Sequence, residues 1–494
     1  MRFHRSTKRF VLSGAALITA TMTWACVDEE IVYRDRELFE TPATQAMGML
    51  GYTDSETKLT VCGNCHVGHQ ADWKETAHAD AWEGLQTSSH ASATCEGCHT
   101  VNELGNFVDQ PAGHTAVPDA RYYDVQCESC HGPGLTHVTN PEESQPLASI
   151  AVGADLTNGC GECHADAHHP FVEEWEQSAH GFGGTAPESY RTREGCDYCH
   201  GGKAALATFG INSEYVEKFD DSAPPIVCAV CHDPHGDARD ANGAVLAGQL
   251  RFPIDVLDEE TNLCMKCHHK RAVPDQPESR GAHSPQGPLL IGRVGEVGWT
   301  PPNFIYNEGS IRGTHGSEAN PRLCAGCHVN AYDVTDATGG FVISATGHLF
   351  KAIPCVDSQG IPQASDDCAK TVEARDFSSC TASGCHGDET SALTALNIAQ
   401  TRIADLVEEL EGLLELVEDA YPDANVNNDG IFTTYEGAEF NASLGEIESS
   451  AVHNPFMTEA LLTASIKQVL VDYPAISAQI TVNLNNLLGM QGSR

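Results

Sequence analysis

Cysteine and histidine recur in one arrangement along this chain. Cys-x-x-Cys-His occurs at Cys62-Cys65-His66, Cys95-Cys98-His99, Cys127-Cys130-His131, Cys160-Cys163-His164, Cys196-Cys199-His200, Cys228-Cys231-His232, Cys264-Cys267-His268 and Cys324-Cys327-His328. A ninth site, Cys380 to Cys385-His386, keeps the ending with four residues between the cysteines and reads as a lengthened version. In this spacing two thiols can add to the two vinyl groups of one haem as thioethers, and the adjoining His can ligate the iron. Chance would supply on the order of 0.04 such motifs in a chain this long. Zinc sites and Fe–S clusters do not require a His after each Cys pair. The motifs therefore predict nine covalent c-type haems.

Nine haems use 18 of the 21 cysteines and leave Cys26, Cys355 and Cys368. Cys355 and Cys368 enclose a short polar loop and most simply form a disulfide in an oxidising compartment; two free thiols are the alternative. Cys26 follows an apolar segment and stands where a bacterial lipoprotein carries its acylated residue, although Thr23 occupies a position where such signals usually have Leu.

Each iron needs a second axial ligand, and its identity largely separates carriers from catalysts. Methionine is too scarce, with seven in the chain. Histidine suffices: 24, less the nine motif residues and His4, leaves 14. Ten sit in recognisable surroundings. His78 and His180 close a Trp, hydroxyl, His pattern at i, i+3, i+5 (Trp73, Thr76; Trp175, Ser178), while His90 and His315 lie shortly upstream of a motif. His137 follows Cys-His-Gly-Pro-Gly, His235 follows Cys-His-Asp-Pro, and His283 opens Ser-Pro-Gln-Gly. His114 and His348 each follow a Gly, and His453 stands in Val-His-Asn-Pro, where Asn454 can cap a helix and Pro455 can fill its first turn. His69, His168, His169 and His269 rank lower. Any of the 14 could instead be a surface or supporting residue.

The nine haem sites, Trp-x-x-Ser-x-His, Cys-His-Gly-Pro-Gly, Cys-His-Asp-Pro-His, His-Ser-Pro-Gln-Gly and the late Val-His-Asn-Pro together make residues 58–475 resemble the multihaem c-type cytochromes. These are the group related to pentahaem nitrite reductases, octahaem hydroxylamine oxidoreductases and bacterial decahaem electron carriers. The resemblance implies a mainly α, loop-rich body built around stacked haems, each held by two His. Catalytic members of the nitrite-reductase branch carry Cys-x-x-Cys-Lys at the active haem, and that motif does not occur here.

The elements that must position these residues are less visible. Motif histidines over the first seven sites are 32 to 36 residues apart, for example His66 to His99, but little beyond the motif recurs. The spacing thus reads as the length of chain that wraps one haem. Hydrophobic residues make up 41% and aromatics only 7%, meagre for side chains alone to fill the interior of 494 residues. Four basic residues before an uncharged apolar stretch predict a signal peptide over 1–25, then a linker over 26–57, a haem domain over 58–388 and a haem-free helical region over 389–494. Leu396, Ile403, Leu410 and Val417 recur every seven residues and predict a long amphipathic helix from Ser391 to Tyr421, with further helices from Pro455 to Asp472 and from Ala475 to Leu488. Packing on the haem body is favoured over a dimerising coiled coil. Between the first two helices, Asn425-x-Asn427-x-Asp429-Gly430-x5-Glu436 matches an EF-hand loop with Asn first. Ca²⁺ binding and an ordinary Asn/Gly-rich turn both stand at this point.

A net charge of −41, from 28 basic and 69 acidic residues, excludes nucleic-acid binding through a basic face. The expected function is an exported electron carrier, not an enzyme, in the periplasm, on the outer membrane as a lipoprotein or at the cell surface. Its partners would be redox proteins or extracellular acceptors, and it would meet a membrane only through a lipid at Cys26. Two alternatives are a reductase of nitrogen or sulfur oxyanions, which needs one open iron, and a self-associating cytochrome filament.

Overall fold

Two thiols three residues apart fall on one face of a single helical turn, and the computed structural model forms such turns at several motifs, including Cys127–His131, Cys228–Cys231 and Leu323–His328. The structure describes residues 39–89, 91–148, 159–166, 168–211, 223–269, 281–293, 297–302, 304, 311, 313–382, 385–426 and 429–477. The signal segment, Cys26, His90, Asn427 and nearly all of the helix expected over 475–488 lie outside these residues. Thr41–Arg494 forms one compact unit. Its architecture is mainly α with long loops, as expected. Among the described residues no helix is long and apolar enough to cross a membrane.

Strand structure is limited to hairpins. β1 (Tyr52–Asp54) pairs with β2 (Leu59–Thr60), β3 (Tyr332–Thr335) with β4 (Phe341–Ala345), and β5 (Cys355–Val356) with β6 (Pro362–Gln363), each antiparallel. Cys355 and Cys368 are disulfide-bonded with Cα atoms 6.0 Å apart, as their isolation from the motifs predicted. Up to about residue 388 the apolar interior is divided into small clusters, such as Val172, Trp175, Leu206 and Val230, or Met49, Val101 and Tyr122.

The largest cluster lies in the tail. α1 (Val67–Trp73) and α2 (Phe171–Gln177) are short, whereas α3 (Glu389–Ala420) runs for 32 residues. Asp388 caps α3 by accepting the Ser391 N–H, and Ile403, Leu406, Val407, Leu410, Leu413, Leu414 and Val417 are buried along one stripe. Full burial of each such side chain contributes about 1.5–3 kcal/mol. The stripe packs against α4 (Thr434–Glu446) and α5 (Pro455–Asp472). Asn454 accepts the Met457 N–H with Pro455 in the first turn, so α5 begins as its sequence indicates. α4 was not foreseen, although a capping box between Thr433 and Glu436 starts it.

The bundle packs on the haem-motif region. Asn441 of α4 accepts from the Trp299 N–H and donates to the Trp299 carbonyl, and a Cβ on Gly437 would fall 2.2 Å from the Trp299 ring. Asn454 donates to Leu289 O, and Leu289, Val297 and Ile311 pack with Leu444, Met457 and Leu461. The apolar stripe of α3 is thereby used inside the chain.

Candidate functional site

With the motifs numbered 1 to 9 in chain order, eight of the nine motif histidines face a second imidazole. The ring centres are 6.3 Å apart for His66–His137, 6.3 Å for His131–His235, 6.2 Å for His164–His78 and 6.4 Å for His200–His283. They are 6.2 Å apart for His232–His348, 6.1 Å for His268–His180, 6.2 Å for His328–His453 and 6.3 Å for His386–His315. Metal–imidazole bonds of about 2.0–2.1 Å, with each ring centre roughly 1 Å behind its nitrogen, put two opposed rings on one metal about 6 Å apart. Interplanar angles vary from 19° to 71°, as rotation about the metal–nitrogen axis permits. The donor set fits an iron between each pair.

The remaining candidates do not form such pairs among the described residues. His114 is buried against Trp82 and Tyr123, 5.7 Å from each ring centre. His168 stacks on Phe341, and His269 hydrogen-bonds to Met265 O. His99 has its Nδ1 2.6 Å from Ala81 O and faces no imidazole at this separation among the described residues; the candidate His90 lies outside them.

At five of these imidazoles a backbone carbonyl favours a proton on Nδ1. Nδ1 lies 2.6 Å from a backbone carbonyl at His131 (Pro146) and His137 (Ser144), 2.7 Å at His232 (Gly248) and His315 (Val452), and 2.9 Å at His328 (Phe350). A proton placed there leaves the Nε2 lone pair for a metal. Burial reinforces the neutral form: it depresses His180 and His453 to about 3 and His164 and His348 to about 4, aided by neighbouring imidazoles.

Two of the facing residues are set by the same local device. α1 ends in Trp73 and α2 carries Trp175 in its last turn, and each indole N–H donates across the fold, to Val125 O at 3.0 Å and to Ile226 O at 2.8 Å. Thr76 and Ser178 turn the chain by donating to the Trp carbonyl at 2.7 Å. His78 O and His180 O then accept the Val125 and Ile226 N–H groups at 3.1 Å. Val125 and Ile226 each stand two residues before a motif cysteine, so the clamp ties a facing His to a neighbouring site.

The thiols show a longer recurrence. Cys62 lies within hydrogen-bonding reach of Cys127, Cys160 of Cys228, and Cys264 of Cys324, the same contact three times at intervals of about 100 residues. Cys98–Cys163 and Cys199–Cys267 form a second repeated contact. Cys130 is close enough to Cys160, Cys231 to Cys264, and Cys327 to Cys380 for charge on one thiol to affect the other. The contacts trace sites 1, 3, 4, 6, 7, 8 and 9 in order, with site 2 beside site 4 and site 5 beside site 7. Of the motif cysteines, Cys65 at site 1 and Cys385 at site 9 are the exposed ones.

The family described as cytochrome c554 and c-prime matches residues 61–132. A cytochrome c-554 from Nitrosomonas europaea is 36% identical over 90 residues, covering 15% of this chain and 36% of that protein. The chain thus matches about a third of the length of that curated relative. Across the fold, the crystal structure of the outer cell wall cytochrome OcwA superposes with a TM-score of 0.53 at 17% identity, covering 83% of this chain and 98% of that one. The fold is that of a multihaem cytochrome, and the family match itself is confined to residues 61–132. An undecahaem cytochrome from the S-layer of Carboxydothermus ferrireducens is also similar, with a TM-score of 0.48 at 18% identity, covering 88% of this chain and 70% of that one.

None of the described motif cysteines is in a disulfide. The EF-hand-like loop is organised differently from a ligand cage in its described part. Asp429 accepts the Ile431 N–H, and Glu436, the expected last ligand, accepts the Thr433 N–H at 2.8 Å to cap α4.

Proposed function

We propose that this cytochrome carries electrons one at a time along nine covalently bound haems, each held by two His, between redox proteins or to an extracellular acceptor. Bound haem supplies reversible one-electron exchange at its iron. The chain's own residues set the distances and the environment. A thiol bonded to one haem edge and lying beside the thiol of the next brings two haem edges close together, and the repeated Cys62–Cys127, Cys160–Cys228 and Cys264–Cys324 pairs support a continuous route. This recurrence carries the reading. The exposed Cys65 and Cys385 then mark the two ends at which partners would exchange electrons.

The remaining assignments extend the same reading. His66, His99, His131, His164, His200, His232, His268, His328 and His386 are the ligands next to the thioethers, and the facing histidines described above are the second ligands at eight of the nine sites. The basic and apolar start suits export, and Cys26 suits a lipid anchor on the outer membrane. The charge of −41 suits basic docking faces on partners.

Intact mass of the mature protein tests the haem count, and fractionation of Cys26→Ala tests the anchor. Nine haem additions and release of the variant from membranes are expected. A mass for eight haems would remove site 9, and a wild-type protein already free of membranes would remove the anchor.

A further inference from the structure

His131, His137, His232, His315 and His328 each turn Nδ1 toward a backbone carbonyl, whereas His348, which faces His232, turns it toward a side-chain hydroxyl. His348 Nδ1 is 3.1 Å from Thr346 Oγ1, with Thr346 O at 3.3 Å. The hydroxyl has one proton and donates it to Glu174 Oε2 at 2.7 Å. Toward His348 it is therefore an acceptor, and the proton between them belongs to Nδ1. That leaves the Nε2 lone pair for a metal.

Two distant segments build this relay. Glu174 stands in α2, one residue before the Trp175 clamp, and Thr346 follows directly on β4. Glu174 Oε1 accepts the Thr346 N–H at 2.8 Å, and Oε2 accepts the His348 N–H at 2.7 Å. Wrapping both residues around one carboxylate needs a tight turn between them. Gly347 supplies it at φ +81°, where a Cβ would also lie 2.7 Å from Val329 C. Thr346 is buried, so water competes little for its hydroxyl. Phe171, also in α2, packs edge-on against the His348 ring at 4.9 Å.

We infer that Glu174, acting through Thr346, is a positioning residue for His348 that holds the haem at site 6 at a lower potential than the imidazole alone would give. The inference rests on the reading of His348 as the second iron ligand opposite His232. An Nδ1–H bonded to an acceptor that a carboxylate polarises makes the other nitrogen more basic. Stronger donation and a nearby negative charge both favour ferric over ferrous iron, so the two effects add. Site 6 stands between sites 4 and 7 in the series of thiol contacts, which places the low-potential step inside the route and away from its ends.

The test is a redox titration of the fully haem-loaded protein followed by electron paramagnetic resonance, comparing the unmodified chain with Glu174→Gln, Thr346→Val and Thr346→Ser. His348→Ala identifies the site 6 signal as the one that leaves the low-spin set. In Glu174→Gln and Thr346→Val that signal should persist, and its oxidised-to-reduced ratio at a fixed potential should fall about tenfold, an upward shift of about 59 mV for one electron. The other haems should not move. Thr346→Ser keeps the hydroxyl and should keep the original midpoint. Thr346→Val leaves both N–H bonds to Glu174 in place, so a shift there with low-spin iron is not a loss of structure. An unchanged site 6 midpoint in Thr346→Val, or an equal shift at every haem, would overturn the inference. Loss of the low-spin signal in Thr346→Val would reduce the hydroxyl to a structural role and overturn the effect on potential. Low-spin iron at every site in His348→Ala would instead remove the assignment of His348 as a ligand, and the inference with it.

Discussion

His453 lies across from His328 with ring centres 6.2 Å apart, although the two are separated by 125 residues and His453 belongs to the helical tail beyond the last motif. The bundle of α3, α4 and α5 is therefore not an appendage: the turn that leads into α5 delivers an imidazole to the haem region. Asn454, beside it, caps α5 and donates to Leu289 O, so one residue fixes both the helix start and the depth of His453.

Replacing His453 with Ala should open one iron and no other. The expected outcome is a high-spin signal from one haem and binding of one CO per reduced chain, whereas the unmodified protein binds little CO rapidly. The absorbance change on CO addition measures this, and several CO bound per wild-type chain would show open irons that the paired imidazoles do not allow.

Trp175→Phe removes an indole N–H and leaves Ile226 O without its donor, at a cost of about 1–3 kcal/mol. The loss should be felt at His180 and hence at site 7, while Trp73→Phe should act in the same way at His78 and site 4. Denaturant unfolding followed at the haem absorbance checks both. Equal destabilisation with no change in ligand exchange at either site would reduce the clamp to ordinary packing.

Acid should detach the second ligands late. The buried histidines have folded-state values depressed below the usual 6.5, to about 4 for His348 and about 3 for His180 and His453, with burial the main cause. Between those values and 6.5 the unfolded chain binds protons that the folded chain does not, so stability declines as pH falls through this window. The low-spin spectrum should persist at pH 5 and be lost below about pH 4. A midpoint near 6.5 would mean that these imidazoles are not buried ligands.

Glu128→Gln should loosen the start of the chain without removing a haem. The buried Glu128 carboxylate accepts the N–H groups of Leu50, Gly51 and Gly134, and burial still raises it to about 7. An amide sets its own N–H against one of those donors, at about 1–3 kcal/mol. Proteolysis near residue 50 should accelerate while the intact mass keeps nine haems; unchanged cleavage would contradict the role.

The motif cysteines and their histidines were legible in the sequence because haem attachment is a local pattern that tolerates little variation. The clamp around Trp73 and Trp175 was visible for the same reason: its members lie within six residues. Which His faces which motif was not, because partners such as His232 and His348 lie 116 residues apart and no local preference encodes such a pairing. The recurrence of about 100 residues was also hidden, since it resides in thiol contacts between motifs and the residues between them differ. His114, singled out by a Gly before it as other candidates were, packs against Trp82 and Tyr123. In the tail, the Asn/Asp/Gly pattern drew attention away from Thr433-x-x-Glu436, the cap that starts α4.

The central claim is that all nine sites belong to one connected electron route. Controlled-potential reduction of the purified protein, counting electrons per chain against haem absorbance, tests it most directly. The account predicts nine electrons per chain and complete conversion of the absorbance. A plateau short of nine, with a fraction of haem left oxidised at low potential, would mean that some sites are cut off from the rest and would contradict the continuous route.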